Sequence, residues 1–441
     1  MQASLSRRGR ALVDAPLRDD FELFHEAEQN AYDAEANPGG AIALCIAENA
    51  LAWPQMRARL VRAAARMPPA WVAKYTDVRG APELREALAG FAERHITTLG
   101  QRAAVALDPD GFCVASGATG VVELTALLLG DDGDVAAFPT PCYPVYRQDV
   151  GHKAHLDRYD VRPARGWDEV EPGTHPLAVA DLDRALGDVE ASGRRLRMLV
   201  LTQPDNPTGA IYTAAQLRDF ADWATRHEVH LCVNELYALS QVDVADARIA
   251  GDYADAPAPY ASFLHELERR RSPYLHWWYS FSKDFGVSGL RCGALYTRNA
   301  ALAEAFGNLG APHTVSNHTQ WLLEDVLGND AWVAAFAKTN RAHLTDAYAD
   351  TVGALRELGL PYRAARGSLF AWFAASPLRR GGETDGALWR RLFRETGLLL
   401  TSPTGFGLGD ERAGWLRGVI TCVDDQTRAE ALRRLRQWAN T

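Results

Sequence analysis

Lysine is scarce in this 441-residue chain: only Lys74, Lys153, Lys283 and Lys338 occur, and arginine supplies the rest of its 47 basic residues. A lysine in a special setting is therefore easy to see. No stretch approaches the ~18 uncharged apolar residues a membrane-spanning helix needs. There is no basic run either, and 56 acidic residues leave a net charge of −9. Without clustered cations to neutralise phosphates, nucleic-acid and anionic-membrane binding are poor expectations. Internal repeats and low-complexity tracts are absent. The six cysteines, at 45, 113, 142, 232, 292 and 422, form no C-x-x-C pair. A chain this long needs no covalent staples, so reduced and mostly buried thiols are expected. The basic opening, Met1 to Asp20, lacks the apolar core of a secretory signal, which makes a cytoplasmic location the expectation. What remains is ordinary globular composition, 47% apolar and 23% charged, enough for a large core with a smaller domain attached.

The order of elements points to an α/β fold. Asn37-Pro38-Gly39-Gly40 is a turn signal that ends a polar arm. Pro82 opens an amphipathic helix with Leu84, Leu88 and Phe91 on one stripe. From about 112 to 300, short apolar runs alternate with helical stretches. Phe112–Ala115, Arg197–Leu201 and His230–Val233 read as strands, and Val121–Leu129 reads as a buried helix. Thr213 followed by Gln216 has the spacing of a capping box. Such alternation predicts a large domain with a mainly parallel central sheet flanked by helices. The segments 161–176 and 243–260 read as surface excursions. After about 325 the pattern turns helix-rich, with a strand-like Ser368–Phe373 and a last helix carrying Leu432, Leu435 and Trp438. The expected division is an arm and part of the small domain over 1–70, a large domain over 71–325 and an α+β small domain over 326–441.

The densest chemistry lies in Tyr279-Ser280-Phe281-Ser282-Lys283-Asp284-Phe285-Gly286-Val287-Ser288-Gly289-Leu290-Arg291-Cys292-Gly293. Two hydroxyls and an arginine can bind a phosphate, glycines allow close backbone approach, and a lysine among them is placed to form a Schiff base. A strand end followed by a surface loop is the plainer reading of the same residues. The run Ser-x-Ser-Lys-x-x-Gly-x-x-Gly-x-Arg-x-Gly resembles the lysine motif of the class I/II aminotransferases, pyridoxal-phosphate (PLP) enzymes of fold type I. Ser280, Ser282, Lys283, Gly286, Gly289, Arg291 and Gly293 each match it. The looser resemblance runs from roughly 40 to 425.

That resemblance implies a PLP cofactor and assigns roles elsewhere. Ser116-Gly117-Ala118-Thr119-Gly120, between a strand and an apolar helix, would put Ala118 and Thr119 on the cofactor phosphate at a helix N-terminus. In Pro139-Thr140-Pro141-Cys142-Tyr143-Pro144, Tyr143 would stack on the pyridine. Asn206, in Asn-Pro-x-Gly, and Tyr237 would bond the ring oxygen. Arg417, in Gly-Trp-x-Arg, would grip a substrate α-carboxylate. Tyr75, in Tyr-x-x-x-x-Gly-x-Pro, would reach the phosphate of a neighbouring subunit, implying a homodimer with shared sites. Lys283 would hold the cofactor and then act as general base. Two further patterns carry less. His227-x-x-His230 lacks the spacing of a zinc helix and is expected to be exposed, and no metal site is expected. Gly405-x-Gly407-x-Gly409 does not lie between a strand and a helix, and reads as loop.

Within the family the details resemble 1-aminocyclopropane-1-carboxylate synthases. Ala47-Glu48-Asn49 is similar to their early Ala-Glu-Asn, which implies that Glu48 lies near the substrate. The Ser-Lys-Asp, Pro-Thr-Pro-x-Tyr-Pro and Gly-Trp-x-Arg runs resemble theirs too. Two departures stand out. Val78 replaces the tyrosine those synthases carry two residues before the Gly of Gly-x-Pro. Asn234 replaces the aspartate that normally keeps the pyridine nitrogen protonated. An amide can bond that nitrogen without supplying charge, and neutral hydrogen bonds contribute ~0.5–1.5 kcal/mol against ~1.5–3 for charged ones. Asn234 is therefore expected to disfavour plain transamination. The resemblance implies γ-elimination or γ-replacement on a sulfonium amino acid such as S-adenosylmethionine, in small-molecule biosynthesis. The alternative is an amino-acid aminotransferase, toward which Tyr75 and Val78 lean. No basic helix-turn-helix precedes the fold, which argues against a DNA-bound sensor.

Overall fold

The computed structural model describes residues 4–13, 20–410 and 412–440. Of the basic opening segment, positions 1–3 and 14–19 lie outside these. Eleven strands are present among the described residues: β1 (Ile42–Leu44), β2 (Phe112–Ala115), β3 (Val135–Pro139), β4 (Asp157–Val161), β5 (Leu196–Thr202), β6 (His230–Asn234), β7 (Leu275–Ser280), β8 (Gly293–Thr297), β9 (Phe370–Ala374), β10 (Leu398–Leu400) and β11 (Trp415–Val419).

Seven of them form the central sheet in the order β2-β8-β7-β6-β5-β3-β4. β8 runs antiparallel to both its neighbours, and the other four pairs are parallel. The mainly parallel sheet expected from the alternating pattern is thus present. Strands buried on both faces are mostly apolar and send alternate residues to opposite sides. Leu199 and Leu201 of β5, with Val135 and Ala137 of β3, enter one apolar layer. Met198, Val200, Ala136 and Phe138 enter the other. Helix Gly117–Leu129 lies in that second layer. Thr213 caps helix Ala214–His227 through the reciprocal bonds its spacing predicts, with Gln216 N donating to Thr213 Oγ1 and Thr213 N to Gln216 Oε1. Leu84, Leu88 and Phe91 are all fully buried on helix Pro82–Phe91.

Two small sheets accompany the large one. β1 pairs in parallel with β10, and β9 pairs antiparallel with β11. A third core gathers Ile42, Leu388, Trp389, Leu399, Leu416 and Trp438 around them. Three expectations need correction. His227 is exposed, but His230 is buried inside the sheet at the start of β6, where its Nδ1 lies 2.9 Å from His276 Nε2. Ser368 is not in a strand: its φ is +75°, its N donates to Ser240 O, and β9 starts two residues later. The predicted excursion at 161–176 turns inward at its end, where His175 is fully buried against Tyr212. All six cysteines are free thiols, and five are buried.

Candidate active site

In open α/β sheets the carboxyl ends of parallel strands form the natural crevice, and this chain places its distinctive residues there. β7 ends at Ser280, which caps the short helix Phe281–Asp284 by accepting from Ser282 N. Lys283 lies on that helix, half-buried. Its Nζ donates to Ala47 O at 2.5 Å. The segment after β1 crosses directly over it: Asn49 Nδ2 donates to Lys283 O (3.3 Å) and to Asn340 Oδ1 (2.9 Å). Asp284, fully buried, fixes the helix from behind by accepting from Leu239 N, Ser240 Oγ and Tyr279 Oη. Burial pushes its carboxyl up to about 7, against the pull of those bonds.

A cradle for an anion lies beside this lysine. Ser280 Oγ and Ser282 Oγ are 2.9 Å apart. Gly293 of β8 pairs with Ala115 on one side and Ser280 on the other, so helix Gly117–Leu129 begins at the neighbouring strand end, where its first N–H groups are free and its dipole end is positive. Arg291 donates to Ser288 O (3.0 Å) and Ser116 O (3.5 Å). Glycine is required here. A Cβ on Gly117 (φ +80°) would meet the Arg291 guanidinium at 2.5 Å, and one on Gly293 would meet the Gly117 backbone at 2.6 Å. Ala118 packs with Ala47 against the apolar group around Tyr237, while the Thr119 side of the turn is exposed.

Arg417, only 2% exposed, marks the opposite wall. Its Nη1 donates to Asn206 Oδ1 (2.7 Å), Nη2 to Cys45 O (3.3 Å), and both Nε and Nη2 to Thr401 Oγ1 (3.1 and 2.9 Å). Its guanidinium carbon lies 4.4 Å over the Phe370 ring, which also meets Tyr237 edge-on. Burial raises the Tyr237 phenol above its ordinary value, and Arg417 pulls the other way. Cys45 and Ala47 therefore tie Arg417 and Lys283 to one short stretch of chain. Between them, Asn234 at the end of β6 donates from Nδ2 to Tyr146 Oη (3.0 Å), and its buried Oδ1 has no protein partner. Tyr143 meets Tyr146 edge to face at 5.3 Å. It opens, with Thr401, Phe406 and Arg417, onto a cleft of about 1510 Å³.

The structure thus joins Asn206 and, through Phe370, Tyr237 to Arg417, which the Cys45–Ala47 stretch ties to Lys283; Ser280, Ser282, Arg291, Ala118 and Thr119 lie on the segments beside that lysine, and Asn234 and Tyr143 meet through Tyr146. It does not bring in Tyr75 or the Glu48 carboxylate in the same way. Tyr75 is fully exposed. Glu48 is exposed and accepts from Ser288 Oγ at 3.1 Å. Sequence reasoning missed Tyr146, Thr401 and Asn340, which reach the site through contacts between distant segments and leave no local signal, while Asp284, within the lysine run, was given no role of its own. It also set aside Gly405-x-Gly407-x-Gly409, a loop with three positive-φ glycines that lines the cleft.

The residues fit PLP. Paired hydroxyls and a helix N-terminus suit its phosphate, and the orphaned Asn234 Oδ1 suits a ring N–H. Residues 42–435 match the family described as aminotransferase class I and II. The chain belongs to that family and is a PLP-dependent enzyme of fold type I. It is similar to 1-aminocyclopropane-1-carboxylate synthase 3 of Oryza sativa subsp. japonica, 30% identical over 94% of this chain and 91% of that one. It is equally similar to 1-aminocyclopropane-1-carboxylate synthase-like protein 1 of Mus musculus, 30% identical over 98% and 82%. In fold it resembles the aspartate aminotransferase of Thermus thermophilus, with a TM-score of 0.76 and 20% identity over 99% of both chains. No helix among the described residues is long and apolar enough to cross a membrane.

Proposed function

We propose that this enzyme takes the α-proton from a sulfonium amino acid, S-adenosylmethionine or a close analogue, and releases or replaces the group on its γ-carbon. The similarity to 1-aminocyclopropane-1-carboxylate synthases over nearly the whole chain carries this reading. The Ala47-Glu48-Asn49 segment laid across Lys283 supports it.

PLP, when bound, supplies the electron sink that makes the α-proton removable. Ser280, Ser282, Arg291 and the N–H groups of Ala118 and Thr119 would hold its phosphate. Tyr143 would cover the ring, Asn206 and Tyr237 would bond its oxygen, and Asn234 would meet its nitrogen. Lys283 Nζ would anchor the cofactor at rest and, once freed, accept the α-proton. Arg417, held by Thr401 and Asn206, would exchange part of its contacts with Cys45 O and Thr401 for the substrate carboxylate, which then sets the direction of the α C–H bond. As the γ C–S bond breaks, its electron pair goes to sulfur and methylthioadenosine leaves as a neutral thioether, while the γ-carbon gains a new bond, to an incoming nucleophile in replacement or to the β-carbon, which gives up a proton, in elimination. The 1510 Å³ cleft leading out from Tyr143 and Arg417 has room for so large a leaving group.

The same reading makes the enzyme a homodimer. Tyr75, Val78 and Leu309 are exposed apolar side chains, and Tyr75 would serve the phosphate of the other subunit. Amino-acid transamination is the second reading, favoured by Val78, which stands where the synthases carry a tyrosine. The test is mass spectrometry of products from PLP-loaded protein given S-adenosylmethionine, with Lys283→Ala as control. Lys283-dependent release of methylthioadenosine is expected. No release, together with keto-acid formation from ordinary amino acids, would favour the aminotransferase.

A further inference from the structure

Asn234 is 3% exposed at the end of β6, paired in register with Thr202 at the end of β5. Behind both lies Tyr146, 4% exposed, on the helix Tyr146–Gly151. Its hydroxyl is 3.0 Å from Asn234 Nδ2 and 2.9 Å from Thr202 Oγ1. Burial holds the phenol in its protonated form. A phenol has one hydrogen to give. If Tyr146 gives it to Thr202, it can only accept from Asn234, and the amide must point Nδ2 backward. The other end of the amide is then Oδ1, the buried atom without a protein partner.

We propose that Tyr146 and Thr202 are positioning residues that set which end of the Asn234 amide meets the pyridine nitrogen of PLP. This rests on the reading of residue 234 as the partner of that nitrogen. With the carbonyl forward, Asn234 is an acceptor and favours the ring nitrogen with its proton on. With the amide reversed, Nδ2 would donate to the nitrogen lone pair and favour the unprotonated ring. The order of the Asn234–Tyr146–Thr202 chain thus tunes the cofactor without a charged side chain. Asn234 binds the protonated ring less strongly than a carboxylate would, yet more strongly than a reversed amide would.

The test uses protein loaded with PLP labelled with ¹⁵N in the ring, following the nitrogen resonance against pH. The apparent pKa is expected to rank Asn234→Asp highest, wild type next, and Thr202→Val and Tyr146→Phe lowest. Thr202→Val nearly keeps the shape of the side chain but removes the acceptor for Tyr146, freeing the phenol to donate to Oδ1 and turn the amide round. A downward shift of about one pH unit corresponds to one hydrogen-bond preference of about 1.4 kcal/mol. A cavity or a packing defect alone would not move this titration. If Asn234→Asp raises the pKa while Thr202→Val and Tyr146→Phe titrate as wild type, the site stands and the positioning role is overturned. If the bound label is indifferent to Asn234→Asp as well, the nitrogen is not at residue 234, and both the site reading and this proposal fall.

Discussion

Thr401→Val is the most informative single change at the substrate end of the site. Thr401 Oγ1 accepts two hydrogen bonds from the Arg417 guanidinium and donates its own hydrogen to Cys45 O at 3.0 Å. Valine keeps the shape and removes every one of these bonds. Two N–H groups of a buried cation then lose their acceptor, while Asn206 and the Phe370 face remain. A hydrogen bond to a charged group contributes ~1.5–3 kcal/mol, so losing the equivalent of one lowers kcat/KM roughly 10- to 100-fold. Arg417 grips a carboxylate that does not change during the reaction, so the loss should appear mainly in KM. The assay is steady-state turnover of PLP-saturated protein, with Tm as a check on folding. Unchanged kcat/KM at wild-type Tm would refute the view that Thr401 holds Arg417 for substrate. A loss confined to kcat would refute the assignment of Arg417 to carboxylate binding.

Other consequences follow from the same geometry. The Asp284 carboxyl is pushed up to about 7, so between about pH 4 and that value the folded protein keeps a proton the unfolded chain has released, and its contribution to stability falls as pH rises. Asp284→Asn mimics the protonated form. Its stability relative to wild type, from denaturant melts, should therefore improve as pH rises through that window, the buried histidines being common to both proteins; a pH-independent difference would contradict this. Gly293→Ala places a Cβ 2.6 Å from the Gly117 backbone, and should weaken PLP retention in equilibrium dialysis because the turn holding the phosphate must move. Equal PLP affinity in the two proteins would show that the turn does not bind it. Mixing inactive Lys283→Ala with impaired Tyr75→Ala should restore activity if Tyr75 serves the partner's site, because each mixed dimer then has one intact site. No restoration would place Tyr75 outside a shared site.

The Lys283 region was legible because its parts are contiguous: strand, hydroxyls, lysine, glycines and arginine occupy fifteen consecutive positions. Asn206 and Tyr237 were singled out through the family resemblance alone, since Asn-Pro-x-Gly by itself reads as a turn; the structure places each shortly after the end of a strand. The parallel sheet could be read because strands buried on both faces are mostly apolar and alternate here with helical stretches. Other features depend on packing between distant segments. Tyr146 and Asn234 meet across 88 residues of chain, and Asn49 and Asn340 across 291. His230 was placed at the start of a strand yet expected to be exposed, because its burial against His276 depends on how β6 pairs with β7. The start of β9 was misplaced because Ser368, apparently part of an apolar run, turns instead to bond the backbone at Ser240.

The most direct measurement uses the scarcity of lysine. PLP-loaded protein is reduced with borohydride, digested, and its peptides mapped by mass spectrometry. A pyridoxyl label on Lys283 alone is the result the account predicts. A label on Lys74, Lys153 or Lys338 in place of Lys283, or no label on a protein that demonstrably binds PLP, would contradict it.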